Sequence, residues 1–183
     1  YGQFLLDTES LNFLLENVDL VEVDLLRGAV WISLWEQVLL NRLNPERFLS
    51  SLLRAIGVEK DEVLLATLLE YLQECFIKYL DVNSQQKFLP DLEALLWSKS
   101  NSAEGELSKT ARASFFQMYR SLASTGVGKR KLFDLWSKKL EVRNLPLSER
   151  DQISLSMRLA VLDPDKSESI LTEQAGLITN GDR

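Results

Sequence analysis

Histidine is absent from all 183 residues. That absence removes Ser–His and Cys–His catalysis, histidine-ligated zinc or haem, and the side chain that ordinarily titrates near neutral pH. Cysteine is almost as scarce. Cys75 stands alone, so no internal disulfide can form, and without histidine it lacks the usual base that activates a thiol nucleophile. Its place in an apolar helical pattern reads as a small buried hydrophobe. Charge interrupts every hydrophobic stretch before about 18 apolar residues accumulate, so no transmembrane span is expected. Basic residues are outnumbered 21 to 27, giving a net charge of −6 and a pI near 4.9. A nucleic-acid binder shows the opposite balance, and the reading includes neither nucleic acid nor membrane as a partner. The one basic cluster, Lys129-Arg130-Lys131, reads as a solvated helix start. Phosphate-cradling glycine loops, dinucleotide glycine patterns and zinc motifs are all missing.

What is present is helical periodicity. In Asp24–Leu43, the residues Leu25, Trp31, Ile32, Leu34, Trp35, Val38, Leu39 and Leu43 share about half of a helical circumference at 100° per residue. Ser33, Glu36, Gln37 and Asn41 take the other side. Trp31 and Trp35, one turn apart, present a large rigid apolar surface, so Trp31, Leu34 and Trp35 are expected in the core, with Trp136 from later in the chain.

Around this segment the chain reads as a succession of helices. Asp7 or Thr8 caps a helix to Asn17. Asn44-Pro45-Glu46 is a cap, a proline at the first helical position and an acid in the first turn, opening a helix that Gly57 is expected to end. Asp61 opens the next. Asn83 or Ser84 is a candidate cap for a helix reaching Trp97, but Pro90 argues for a start near Leu89. Ser98–Glu106 reads as a loop, Leu107–Ser124 as a helix, Thr125–Gly128 as a break, and Lys129–Lys139 as a shorter helix. After the connector Leu140–Leu147, Ser148-Glu149-Arg150-Asp151 is a capping-box-like entry to a helix ending near Leu162. Asp163-Pro164-Asp165 starts a last helix that fades before Gly176. With short connections and no useful strand, the fold expected is all-α: about nine helices in an irregular HEAT-like stack of antiparallel hairpins. Residues 1–7 read as a junction, 8–177 as a single helical domain and 178–183 as a loose tail. The opening Tyr1-Gly2-Gln3-Phe4 has neither an initiator Met nor a signal-peptide pattern, and the chain is expected to be part of something longer.

Candidate sites are few. Asp163–Gln174 imitates a calcium loop, but its sixth position is Glu168 rather than glycine and its twelfth is Gln174 rather than a bidentate glutamate. Glu70 and Glu74 read as a solvated face. Arg112 and Arg120, with Tyr119 between, are the candidates for presenting cations and a ring to a peptide.

The order of features resembles the C-terminal helical domain of the aminopeptidase N family of zinc metallopeptidases. The residues that carry the resemblance are Tyr1-Gly2-Gln3-Phe4, Leu6-Asp7, Arg27 with Trp31, Leu34 and Trp35, the pair Leu135-Trp136, and Ile178-Thr179-Asn180-Gly181-Asp182-Arg183. It implies a non-catalytic piece of an exopeptidase, with the zinc ligands and catalytic glutamate in an upstream domain, no cofactor here, and a helical bowl that restricts peptide entry. The partners implied are the parent's own catalytic and β-sandwich domains and the peptide. The alternative from another class is a free-standing HEAT-like scaffold for a protein or peptide; a carboxylate-based helical enzyme is a third reading.

Overall fold

The computed structural model describes residues 5–103 and 105–178. Among them the chain is all-helical, with nine α-helices and no β-strand element. Tyr1–Phe4 and residues 179–183, which carry the two ends of the family resemblance, lie outside the described residues.

Contacts divide the chain into two compact units, one ending at Phe88 and the other beginning at Leu89. In the first, α1 (Thr8–Asn17), α2 (Asp24–Leu39), α3 (Pro45–Val58) and α4 (Glu62–Glu74) each pack on the next. Asp7 caps α1, Asn44 caps α3 and Asp61 caps α4, each with its carboxylate or amide oxygen accepting first-turn N–H groups. Trp31 and Leu34 are fully enclosed, and Trp35 is 7% exposed. Phe48 of α3 meets the Trp31 ring edge-on at 5.7 Å, and Tyr71 of α4 stacks on Trp35 at 5.1 Å. A π-helical turn, Cys75–Tyr79, extends α4 and brings Tyr79 edge-on to Trp35 at 5.5 Å. Cys75 is buried there, and burial pushes its thiol up to about 12.

Not all of the apolar arc assigned to α2 turns inward. Leu25, Ile32 and Leu39 are 83%, 51% and 49% exposed, whereas Gln37, placed on the polar side by its chemistry, is buried. The helix is apolar around most of its circumference, so its pattern does not single out one face; contacts with α1, α3 and α4 choose the arc of Trp31, Leu34, Trp35 and Val38. Arg27 locks the start of α2 to the end of α3. Its guanidinium donates from Nε and Nη2 to the two Glu59 oxygens, both at 2.8 Å, and from Nη1 to the Val21 carbonyl at 2.7 Å.

α5 (Val82–Ser100) opens with Asp81 accepting the Ser84 N–H at 2.7 Å and continues through Pro90. Of the two starts the sequence offered, the helix takes the one beside Asn83 and Ser84, beginning at Val82, seven residues before Leu89. Likewise Gly57 lies inside α3, and residues 98–100 belong to α5 rather than to a loop. The second unit continues with α6 (Lys109–Leu122), α7 (Gly126–Trp136), α8 (Glu149–Leu162) and α9 (Ser167–Leu177). The expected break at 125–128 is the start of α7, because the Thr125 hydroxyl accepts the Gly128 N–H at 3.0 Å. Trp136, 6% exposed, donates its indole N–H to Gln174 of α9 at 2.8 Å.

Candidate functional site

The connector between α7 and α8, residues 137–148, has no regular structure and lies among three depressions of the second unit. The largest, about 570 Å³, runs between α6 and α8 and is lined by Phe116, Gln117, Arg120, Leu147, Arg150 and Asp151 among others. A more apolar hollow of about 410 Å³ lies under Leu140, Val142, Leu145 and Pro146, and a third of about 270 Å³ borders Gln174 and Leu177 of α9. Leu147 borders all three. Two non-glycine residues, Lys138 (φ 59°) and Asn144 (φ 53°), adopt the left-handed conformation that bends the connector; asparagine tolerates it well and lysine less so.

Arg120 is the fixed cation of the main groove. Its Nη1 donates to Asp151 at 2.9 Å, and its guanidinium lies 5.9 Å from the Phe116 ring centroid. Asp151 is in turn held by α8's capping box: the Ser148 N–H and hydroxyl donate to Oδ2 at 3.0 and 2.7 Å. Burial pushes the Asp151 carboxyl up, but the Ser148 bonds and the Arg120 guanidinium outweigh it and hold it below the ordinary range. The pair is therefore charged at neutral pH. Arg150 adds an exposed guanidinium at the rim.

The other two residues read as peptide-facing sit elsewhere. Tyr119 is 1% exposed, its ring centroid 5.2 Å from that of Trp97, and burial together with the charge of Glu93 raises its phenol. Arg112 is 7% exposed, and among the described residues its Nε and Nη1 have no hydrogen-bond partner. Residues 112 and 119 turn inward because they share α6's apolar face with Phe115, Phe116 and Leu122, while residue 120 sits at its edge. Sequence reasoning missed Arg150 and the connector's leucines. Of the sequence signals, Arg120 and the capping box fall at this place, the latter read as a helix start rather than as the wall of a groove.

The groove offers a charged pair beside an apolar lining. Glu59, Asp151, Glu46, Asp7 and Asp81 are all displaced below the ordinary carboxyl value, so none of these is held protonated as a general acid at neutral pH. Residues 163–177 form a short 3-10 turn and α9, and among the described residues no three His, Cys, Asp or Glu side chains cluster to hold a metal ion. No described helix is long and apolar enough to cross a membrane.

Fold and groove together define an all-helical protein with a charged, partly apolar surface groove. Comparison of the chain with family models and with curated proteins finds no match.

Proposed function

We propose that this chain is the non-catalytic C-terminal helical domain of a zinc-dependent aminopeptidase, covering an active site that lies in an upstream domain and restricting entry to peptides. The parent reaction is removal of N-terminal residues from peptides, with zinc held upstream; no zinc ligand set exists among the described residues. The observation that carries the reading is the ordered set Arg27, Trp31, Leu34, Trp35 and Leu135-Trp136, the residues of the family resemblance that lie within α2 and α7. All six are occupied in holding the fold together, since the five apolar residues are buried and Arg27 is engaged by Glu59. A motif spent on scaffolding fits a domain that shapes access rather than reacts.

Two measurements test it. The coding sequence upstream of Tyr1 is expected to contain an H-E-x-x-H metallopeptidase motif. The purified chain, given zinc and an aminoacyl chromogenic substrate, is expected to show no chelator-sensitive hydrolysis; such hydrolysis would overturn the division of labour. The groove around Arg120 favours one second reading, a free-standing scaffold that binds a peptide. An initiator methionine shortly upstream, with no such motif, would select it.

A further inference from the structure

A row of exposed apolar side chains runs along α2. Leu25, Ala29, Ile32 and Leu39 recur at intervals of four, three and seven residues and so form a row about 21 Å long at 1.5 Å per residue, apolar over its first two turns and broken by Glu36 before Leu39. Leu20, Val23 and Leu26, each more than half exposed, broaden its N-terminal end. Isolated surface leucines are ordinary, but a row of them marks an interaction surface. A seam this narrow, repeating by heptads, fits another helix better than a sheet or a small ligand.

Charge selects among helices. α1 and α2 together carry Glu9, Glu16, Asp24 and Glu36, and their one basic residue, Arg27, is engaged by Glu59 and Asp24. Residues 1–88 hold 14 acidic and 7 basic side chains, a balance of −7, whereas residues 89–183 hold 13 and 14. A second copy seated on the same face would bring like charge against like, and an anionic lipid surface would do the same. We infer that the exposed seam of α2 docks an amphipathic helix whose apolar ridge is bordered by lysine and arginine.

The test uses the full 183-residue chain and two labelled synthetic helices of about three heptads, identical in their leucine ridge but bordered by lysine in one and by glutamate in the other. Fluorescence anisotropy is expected to show binding of the lysine-bordered helix only, weakening as salt is raised. Ile32→Glu should reduce that affinity at least about tenfold, because it replaces the central apolar side chain of the row with a second charge one turn from Glu36. It does so although it adds attraction for lysine, so electrostatics alone predicts the opposite sign. Val161→Glu, an equally charged change at a 71% exposed position of α8, should leave affinity unchanged. Ile32 is half exposed, so the variant should melt as the parent does. Equal binding of both helices, or an Ile32→Glu variant that binds as tightly as the parent, would overturn the inference. So would self-association in sedimentation that Ile32→Glu abolishes, or binding to phosphatidylcholine vesicles that depends on Ile32. None of these readouts depends on whether an aminopeptidase motif lies upstream.

Discussion

Glu93 shows how much one buried side chain can organise. It is 6% exposed, and its Oε1 accepts the N–H groups of Ser124 and Thr125 at 2.8 Å while Oε2 accepts the Thr125 hydroxyl. A carboxylate at the start of α7 also complements the helix dipole. Gly128 is small because of this arrangement: a Cβ there would lie 2.5 Å from Glu93 Oε2 and 2.8 Å from its Cδ. A glutamate end is normally free to swing aside, but here moving costs three hydrogen bonds to a charged acceptor. Gly128→Ala is therefore expected to destabilise the fold by about 1–3 kcal/mol, the cost of leaving such groups unsatisfied. Gly126→Ala, two residues earlier with open space around it, should be neutral or slightly stabilising. Thermal melts of the two variants side by side make the comparison. A Gly128→Ala variant as stable as Gly126→Ala would mean that helix propensity, not Glu93, decides.

Arg27 and Glu59 tie the start of α2 to the end of α3 and to the turn into α4. Glu59 follows α3 and receives, besides Arg27, the N–H groups of Lys60 at 2.8 Å and Asp61 at 2.9 Å, so it fixes the turn into α4 as well as the start of α2. Both side chains are largely buried, Arg27 at 13% and Glu59 at 4% exposure. Glu59→Ala would leave Arg27 only Asp24 and the Val21 carbonyl and free the N–H groups of Lys60 and Asp61, and a loss of about 1–3 kcal/mol is expected from the urea midpoint; Glu59→Gln, which keeps an acceptor, should lose less. This connection was not readable in the sequence, since it joins residues 32 apart. Local signals were readable wherever the interaction is local. Asn44-Pro45-Glu46 became a cap with Asn44 Oδ1 accepting the Glu46 N–H at 2.8 Å, and Ser148 with Asp151 formed its box. Signals of composition alone failed. Pro90 is accommodated within α5, Gly126 begins a helix rather than breaking one, and α2's leucines divide between core and solvent by contacts that periodicity does not contain. The groove was least visible of all. Arg120 was legible as a surface cation, but the Asp151 that holds it and the connector that forms the wall come from residues 20 and more further on.

For the whole molecule, the lack of histidine becomes a statement about pH. Stability changes with pH only where folded and unfolded states bind different numbers of protons. Glu59 and Asp151 have folded values held below the ordinary ones; burial raises both, and their hydrogen bonds from Arg27, Ser148, Arg120 and backbone N–H groups more than reverse it. Their contribution is fully present above the unfolded carboxyl values of about 4, and is lost as pH falls through the lower folded values. On the alkaline side, burial lifts Cys75 to about 12, so its contribution is complete below the unfolded thiol value of about 8.5 and declines as pH rises beyond it. Tyr71 and Tyr119, both raised, add to the same decline at higher pH. Between these limits no side chain of this composition has an ordinary value, because nothing stands where a histidine would. The urea midpoint, followed by fluorescence of the four tryptophans, should therefore be flat from about pH 5.5 to 8 and fall outside that window on both sides. A step near pH 6.5 would overturn this expectation, since in a chain without histidine it requires a carboxyl held far above its ordinary value.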